Sequence, residues 1–384
     1  MVRPTHAVVD LERLTANYRE IGRYLARAGR LPVPRIIAVI KANAYGHGAV
    51  AVGRALEQAA ASGSAVVPIL ACADIEEGVE LRRAGVTSPI LVFGALSVSN
   101  LAGVFDYDLT PTVSSPSAAQ ALEHAAASRG VHLGVHLKID TGMHRFGFRH
   151  DNLRTTLPEV VRSSHLTIEA VYTHFATAEQ YGEPLFDVQR ARFDQVRTDA
   201  SALGLQDVWW HAANSGALLR DQRTWYDAVR PGLLLYGVEP PTLDTELDLY
   251  PVMSLRSRVV AVKGLRCGES AGYGACFVAS RSMRIAVLPA GYADGLDLRL
   301  AGRGTVLVRN WYASVVTVSM DSTTIDVADI DVNPGDDVVV LGEQGDKHIG
   351  ACDIASAIGT VPHEVLCRIG TRIKRTYTPM VASD

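Results

Sequence analysis

Short apolar segments alternate with amphipathic segments along the first part of the chain. The apolar runs have the length of strands, and the stretches between them are rich in Ala, Leu, Glu and Arg with helical spacing. Strands are predicted at 36–41, 65–72, 89–94, 109–113, 133–139, 168–174, 208–212 and 227–230. An acidic cap followed by apolar residues at helical spacing predicts a further helix, Asp10–Ala26, ahead of the first strand. Eight strand–helix units in roughly 200 residues predict right-handed crossovers and an α/β fold of the closed (β/α)8 TIM-type barrel class.

The pattern changes in the last third of the chain. From Leu249 onward, β-branched runs are separated by Gly, Asn and Asp, which is typical of a mainly antiparallel β domain. A single helix, Asp353–Gly370, is predicted to interrupt it. Since the change begins near Pro240–Pro241, we predict a barrel domain at 1–245 and a C-terminal β domain at 246–384.

Composition and charge narrow the class of function. Apolar residues make up 48% of the chain, and the net charge of −4 comes from interspersed charges without a basic run. This balance argues against nucleic acid and anionic membranes as partners and favours a small-molecule substrate. The N-terminus MVRPTHAVVD lacks an apolar signal core, and no apolar run approaches the length of a membrane span. We therefore expect a cytoplasmic protein.

The five cysteines form no C-x-x-C pair. They lie mostly in segments predicted as apolar strands or a helix, at positions 72, 267, 276, 352 and 367. The pattern predicts buried thiols in a reducing compartment and disfavours a structural metal site such as zinc.

One lysine occupies a position where chemistry is expected. The apolar run IIAVI ends on Lys41, and Asn43, Gly46 and Gly48 then mark a loop. Only five of the 37 basic side chains are lysines. A lysine at the apolar mouth of a barrel loses hydration, which lowers its pKa and frees the amine to form a Schiff base. By position alone, a strand-end lysine that reaches solvent is an equal alternative.

The segment AVIKANAYGHG resembles the pyridoxal-phosphate lysine motif of the alanine racemases. Further segments similar to that family follow in its order, from about residue 6 to residue 377: IDTGMHRFGF, YTHFATA, HAANSGALL, VRPGLLLYG, GESAGYGACF, PAGYADG and VSMDS. The resemblance implies that Lys41 carries pyridoxal 5'-phosphate. It also implies that Tyr45, Ser215, Gly232 and Leu233 hold the phosphate, although a plain N-cap is the alternative role of Ser215.

The same resemblance implies roles for four other residues of the barrel. Arg230 would face the pyridine nitrogen as a permanent donor, and His174 would lie between it and the catalytic tyrosine. Arg145 would bind the phenolate oxygen of the cofactor or the substrate carboxylate. Lys138 corresponds to a lysine that is carbamylated in several members. A salt bridge for Arg230 and a core position for His174 are the alternatives.

Racemisation requires a second acid/base on the face opposite Lys41. The resemblance assigns this role to Tyr273, with ordinary core packing as the alternative, and in the family this tyrosine reaches into the partner's site. Tyr292 and Met320 match segments that line the shared site. The implied assembly is a homodimer with shared active sites.

The implied function is interconversion of L-alanine and D-alanine by a two-base mechanism, supplying D-alanine for peptidoglycan. The sequence departs from the family pattern around the catalytic tyrosine, where it is Gly272-Tyr273-Gly274-Ala275. Substrate preference is therefore left open, and a broad-specificity, serine or basic amino-acid racemase is an alternative. Arg230 disfavours a related decarboxylase, and a non-catalytic pyridoxal-phosphate carrier would not explain the second domain.

Overall fold

The computed structural model describes residues 3–61, 68–96, 100–240, 242–243 and 245–379. The strands in chain order are β1 (His6–Asp10), β2 (Arg35–Val39), β3 (Ile69–Cys72), β4 (Ile90–Val92), β5 (Thr110–Val113), β6 (Leu133–Asp140), β7 (Phe148–Arg149), β8 (Leu166–Tyr172), β9 (Trp209–His211), β10 (Ala228–Val229), β11 (Met253–Arg258), β12 (Ala261–Leu265), β13 (Ser270–Ala271), β14 (Phe277–Val278), β15 (Met283–Leu288), β16 (Thr305–Val308), β17 (Trp311–Val318), β18 (Thr323–Asp326), β19 (Asp337–Gln344), β20 (Lys347–Ile349) and β21 (Lys374–Thr378).

Helices lie mainly between the strands of the first half. The helices in chain order are α1 (Leu11–Arg27), α2 (Lys41–Tyr45), α3 (Ala49–Ala61), α4 (Ile75–Arg83), α5 (Ala102–Asp106), α6 (Pro116–Arg129), α7 (Leu153–Thr156), α8 (Pro158–Val161), α9 (Leu185–Thr198), α10 (Ser215–Arg220), α11 (Ala351–Ile358) and α12 (Pro362–Cys367), with 3-10 turns at Ser201–Leu203, Gln222–Thr224, Leu233–Tyr236, Tyr273–Ala275, Tyr292–Asp294 and Leu298–Leu300. In α1, the Asp10 carboxylate accepts a hydrogen bond from the Arg13 backbone N–H, which confirms the predicted helix and its acidic cap. In the part of the chain that the structure describes, no helix is long and apolar enough to cross a membrane.

The predicted barrel is confirmed. Its strands pair in the order β5-β4-β3-β2-β10-β9-β8-β6, and β5 also pairs with β6, which closes the sheet. All these pairings are parallel. Each of the eight predicted strands has its counterpart, although residues 65–67 of the second one lie outside the described ranges. Because the strands are buried on both faces, they form near-continuous apolar runs, and this made them detectable.

The second sheet follows the order β12-β15-β18-β17-β16-β19-β11-β1-β21, with β20 on β19. Its pairings are antiparallel except that of β1 with β21. The strand β1 thus belongs to the sheet of the second domain, although residues 1–245 were assigned to the barrel. The boundary between 245 and 246 stays a prediction.

One expectation about the second half was wrong. The single helix Asp353–Gly370 is instead two helices, because Gly359 ends α11 in a left-handed conformation and Pro362 begins α12.

The cysteines do not share the predicted burial. Cys72 in β3 is buried, but Cys267, Cys276 and Cys367 are exposed and Cys352 is half-buried. The exposed three lie beyond or at the ends of regular elements, where apolar neighbours in sequence do not ensure burial. All five are free thiols.

Candidate active site

A cavity of about 480 Å³ opens at the carboxyl ends of the barrel strands. Nine of the site residues predicted from the sequence line this cavity, together with His363 of α12. These nine are Lys41, Tyr45, Lys138, Arg145, His174, Ser215, Arg230, Gly232 and Leu233. Seven of the eight barrel strands contribute to the lining, at their carboxyl ends or through the loops that follow them, so the cavity exists only in the folded barrel.

Lys41 lies at the start of a strained turn and not at the end of the strand. β2 ends at Val39, and the next residues form a helical turn whose φ angles from Ala42 to Tyr45 are 52° to 54°. A left-handed conformation costs roughly 1–2 kcal/mol for each non-glycine residue, so tertiary contacts must hold the turn. Glu77 of α4 supplies one, since its carboxylate accepts hydrogen bonds from the backbone N–H groups of Ala42 (2.6 Å) and Ala73 (2.7 Å).

Contacts from the far end of the chain hold the other side of this turn. The Arg375 Nε donates to the Gly46 carbonyl oxygen at 3.0 Å. A Cβ on Gly46, whose φ is +79°, would meet the Leu366 carbonyl oxygen at 2.5 Å. Glycine is therefore required here both by conformation and by the close approach of α12. This lysine turn, residues 41–46, is thus held by contacts from α4 of the barrel on one side and from the C-terminal segment on the other.

The cavity is lined by four cationic side chains, Lys41, Lys138, Arg145 and Arg230. Burial, and then the charge of Arg145, lower the pKa of Lys41 from its usual value. Burial and the charges of Arg145 and Arg230 lower the pKa of Lys138 to about 7. Clustered cations that are partly removed from water favour anionic ligands and favour a neutral amine on the lysines.

Tyr45 and Ser215 face each other across Gly232. The Ser215 Oγ accepts hydrogen bonds from the backbone N–H groups of Gly232 (2.9 Å) and Leu234 (3.4 Å). The N-cap of α10 is Asn214, whose side chain accepts from the Ala217 N–H, so the plain N-cap role for Ser215 is wrong.

Gly232 allows the backbone and the Tyr45 ring to approach closely. A Cβ at this position would lie 2.5 Å from the Tyr45 hydroxyl oxygen. Two ring neighbours hold Tyr45 in place, Tyr236 at 5.1 Å and His363 at 5.7 Å between centroids. Tyr45, Ser215 and Gly232 thus form one rigid side of the cavity.

Arg230 is buried and its hydrogen bonds determine the proton positions of its neighbours. Its Nη2 donates to the carbonyl oxygens of Thr173 and Ala212, both at 2.7 Å. Its Nη1 lies 2.7 Å from the His211 Nδ1, and its Nη2 lies 3.3 Å from the His174 Nδ1. A guanidinium only donates, so both imidazoles accept at Nδ1 and carry their proton on Nε2.

A third histidine, His136, extends this series of hydrogen bonds deeper into the barrel. The His211 Nε2 lies 3.3 Å from the His136 Nδ1, so His136 accepts there and carries its own proton on Nε2. Burial, and then the charge of Arg230, lower the pKa of His136 to about 3 and that of His211 well below its usual value. Arg230 keeps its charge, since burial lowers its pKa only to about 10.

Asp140 organises the loop that carries Arg145. Its Oδ1 accepts hydrogen bonds from the backbone N–H groups of Gly142, Met143 and His144 at 3.0–3.1 Å. Arg145 is exposed at the mouth of the cavity, whereas Lys138 is buried among apolar and aromatic side chains. The Nζ of Lys138 lies 5.5 Å and 5.6 Å from the ring centroids of Phe146 and Tyr172.

Three predicted site residues lie away from this cavity. Among the described residues, its lining does not include Tyr273, Tyr292 or Met320. Tyr273 begins a 3-10 turn between β13 and β14 and is 87% exposed, while Tyr292 is 44% and Met320 56% exposed. The core-packing alternative for Tyr273 is therefore wrong.

Sequence reasoning missed Glu77, His211 and His363. Glu77 and His363 lie on helices whose patterns carry no chemical signal. His211 ends β9 in the segment WWHAANSG, directly before the segment that supplies Ser215, and that position is the one signal in the sequence that could have indicated it.

Comparisons with known proteins agree with this architecture. Two family models match, "Alanine racemase, N-terminal domain" over residues 9–240 and "Alanine racemase, C-terminal domain" over residues 252–377. The alanine racemase of Carboxydothermus hydrogenoformans is 39% identical over 98% of this chain and 100% of its own length. The chain belongs to the alanine racemase family.

Solved structures of alanine racemases share the whole fold. That from the D-cycloserine producer Streptomyces lavendulae has a TM-score of 0.89 at 32% identity and covers 98% of this chain and 97% of its own. That from Bartonella henselae, described with covalently bound pyridoxal phosphate, has a TM-score of 0.84 at 26% identity and covers 97% of this chain and 99% of its own. The resemblance drawn from the motifs is thereby confirmed at the level of family and fold.

Proposed function

We propose that this protein is a pyridoxal-phosphate-dependent alanine racemase that interconverts L-alanine and D-alanine. The observation that carries the proposal is the cavity in which the low-pKa amine of Lys41 lies beside Arg230 and the Tyr45–Ser215–Gly232 side. Membership of the alanine racemase family supports the reaction.

The residues present fit the cofactor. Four basic side chains around one cavity, two of them guanidinium groups, suit a ligand with a phosphate and a phenolate. Gly232 leaves room beside the Tyr45 hydroxyl that any side chain would fill, which suits close approach of a phosphate to the backbone. Lys41 would hold the cofactor, and Tyr45, Ser215, Gly232 and Leu233 would hold its phosphate.

When bound, pyridoxal phosphate would withdraw electrons from the Cα of the amino acid and so acidify its Cα–H. Lys41 would move the proton at one face of Cα. Its depressed pKa favours this work near neutral pH, since a larger share of the amine is unprotonated. Arg145, exposed at the mouth, would bind and orient a carboxylate or the phenolate oxygen.

Arg230 would face the pyridine nitrogen as a donor that does not release its proton near neutrality. Four hydrogen bonds fix the guanidinium, which is 3% exposed. A fixed cation there keeps the nitrogen unprotonated, which weakens electron withdrawal by the ring and favours return of the proton to Cα over side reactions.

The second proton-transfer group would be Tyr273 from a partner subunit. Its 87% exposure and its place in the C-terminal half leave it free to enter the cavity of another copy. His174 carries its proton on Nε2, so it could donate a hydrogen bond to the oxygen of such a tyrosine. The proposed assembly is a homodimer with shared sites, to which Tyr292 and Met320 contribute.

The role of the enzyme would be to supply D-alanine for peptidoglycan in the cytoplasm. Lys138 is a candidate for carbamylation, because a buried lysine with a pKa of about 7 has a substantial share of neutral amine near pH 7, whereas an ordinary lysine has almost none. A carbamate would place an anion among the cations and would orient Arg145.

The test is a racemase assay across L-alanine, L-serine, L-lysine and L-arginine, with product chirality measured by chiral chromatography. We expect alanine to be the preferred substrate and Lys41→Ala to be inactive. Preference for serine or for a basic amino acid would overturn the substrate assignment, and absence of turnover with every amino acid would overturn the reaction.

A further inference from the structure

A second cavity, of about 390 Å³, lies between the barrel and the C-terminal sheet. Its lining comes from β1 and α1, from the segment after β10, from β11 and β19, and from α11 and α12. It shares no lining residue with the candidate active site. Its inner side includes His47 and Tyr236, which are 1% exposed, while Arg256 and Glu343 are exposed at its rim.

His47 presents a lone pair that has no partner. Its Nδ1 lies 2.9 Å and 3.0 Å from the carbonyl oxygens of Ala44 and Tyr45, so Nδ1 carries the proton. Burial lowers the pKa of the imidazole to about 4, and the ring is neutral at pH 7. Its Nε2 is therefore an acceptor, and it is buried without a hydrogen-bond partner among the described residues. Leaving such an acceptor unsatisfied costs free energy that a donor in the cavity would recover.

The charged side chains around the cavity favour a cation. Four carboxylates line it, those of Asp10, Glu239, Glu343 and Asp353, against the two guanidinium groups of Arg13 and Arg256. Arg13 is already engaged, since it lies within ion-pair distance of Asp10 (3.7 Å) and Glu343 (3.4 Å).

Glu239 and Asp353 are the carboxylates that these pairs leave over, and neither forms an ion pair with the described residues. The Asp353 carboxylate accepts a hydrogen bond from the Gly350 backbone N–H at 2.7 Å, whereas partial burial raises the pKa of Glu239. The lining therefore offers an excess of acceptors and of negative charge. At the rim it also offers the guanidinium group of Arg256, which donates to the Ser254 Oγ at 3.4 Å and forms no ion pair with the described residues.

We propose that this cavity is a second ligand site, and that it binds a small compound with a primary ammonium group that donates a hydrogen bond to the Nε2 of His47. The acidic lining, with Glu239 foremost, compensates the charge of the ligand. A simple amine and an amino acid share this group. An amino acid would in addition place its carboxylate near Arg256 at the rim.

The place of the cavity connects it with the lysine turn. His47 stacks on Tyr236 with centroids 4.3 Å apart, and Tyr236 packs on Tyr45 at 5.1 Å. A ligand at His47 would thus lie two ring contacts from the wall of the active site. The inference rests on the contacts of His47 and does not depend on the reaction proposed above.

The test is isothermal titration calorimetry on the full-length holoenzyme after borohydride reduction, which prevents a primary amine from reacting with the cofactor. Ethylammonium and β-alanine are the two probes. We expect saturable binding of one ethylammonium per chain, and tighter binding of β-alanine if Arg256 takes part. His47→Phe, which keeps an aromatic ring against Tyr236 but removes the acceptor, should weaken binding at least tenfold.

Glu239→Gln should also weaken binding at least tenfold. If His47→Phe does not fold, Glu239→Gln is the variant that decides the test. Glu183→Gln is the matched control, since it removes the same charge from an exposed site outside the cavity and should leave affinity unchanged. Three results would overturn the proposal. The first is absence of saturable heat with both probes, and the second is an affinity in the Glu239→Gln variant equal to that of the wild type. The third is a crystal structure in which a water molecule stays on the Nε2 of His47 in the presence of both probes.

Discussion

Replacing Gly232 with alanine should weaken cofactor binding through a single contact. The added Cβ would lie 2.5 Å from the hydroxyl oxygen of Tyr45 and 3.1 Å from its Cζ, whereas ordinary contacts are 3.4–4 Å. The φ of Gly232 is −115°, outside the left-handed region, so the contact with the ring is the main effect. The hydroxyl must move by about 1 Å, and the neighbouring rings of Tyr236 and His363 restrict where it can go.

The size of the effect follows from the hydrogen bond that this movement would remove. A hydrogen bond to a charged group contributes roughly 1.5–3 kcal/mol. We therefore expect the dissociation constant of pyridoxal phosphate to rise about 10- to 150-fold in Gly232→Ala. The measurement is titration of the apoprotein with pyridoxal phosphate, followed by absorbance. Gly264→Ala is the matched control, because its Cβ would meet no atom within 4 Å.

A double-mutant cycle with Tyr45→Phe separates this mechanism from a general loss of stability. Tyr45→Phe alone should weaken binding by a similar factor. In the Tyr45→Phe background, Gly232→Ala should raise the dissociation constant by a smaller factor than in the wild type, because the hydroxyl that the methyl group displaces is already absent. An unchanged dissociation constant in Gly232→Ala, or fully additive effects of the two substitutions, would refute the argued contact between these residues.

The remaining predictions concern the lysines and the proposed partner tyrosine. Borohydride reduction of the holoenzyme should fix the cofactor on Lys41, and a peptide map that finds it on another lysine would contradict the assignment. Mixed dimers of Lys41→Ala and Tyr273→Phe should regain activity towards half of the wild type, and inactive dimers shown to be hybrid would exclude shared sites. Tyr273→Phe should nearly abolish solvent-deuterium exchange from L-alanine, by roughly 10²–10⁴-fold, but not from D-alanine; equal exchange from both would exclude two bases. In carbon-dioxide-free buffer, Lys138→Met should stabilise the apoprotein in urea unfolding below pH 7, where the lysine is charged in both the folded and unfolded states. That advantage should shrink as the pH rises above about 7 towards 10.5, because the folded state then buries a neutral amine. A pH-independent difference would contradict the lowered pKa.

The barrel was predictable because its strands are buried on both faces. Burial makes them continuous apolar runs, and the helices between them, such as Ala49–Ala61, carry a regular spacing of apolar residues. Motif positions then placed Lys41 and Arg230 at the ends of their predicted strands, and Ser215 after its strand, without any knowledge of contacts. The rim of a parallel barrel gathers the residues at the carboxyl end of each strand, so the order of motifs was sufficient to predict one cavity.

The conformation of the lysine turn was not predictable from its own residues. Ala42 and Ala44 have no local preference for a left-handed φ, and the turn depends on Glu77, 36 positions after Lys41, and on Leu366 near the other end of the chain. His363 escaped prediction for a related reason. It was placed inside one long helix, and only the break between Gly359 and Pro362 directs the second helix so that this side chain lines the cavity.

The protonation of the histidines also required the structure, and it bears on how Arg230 works. The sequence does not indicate which ring nitrogen of His136, His174 or His211 carries the proton. Arg230 determines the proton position in all three rings. It makes His174 and His211 accept at Nδ1, and the Nε2 proton of His211 in turn makes His136 accept at Nδ1. Burial keeps the imidazoles of His136, His174 and His211 neutral, so Arg230 carries the positive charge of this group of four side chains. A donor held in this way has no neighbouring base strong enough to take its proton, so it stays a cation throughout proton transfer at Cα.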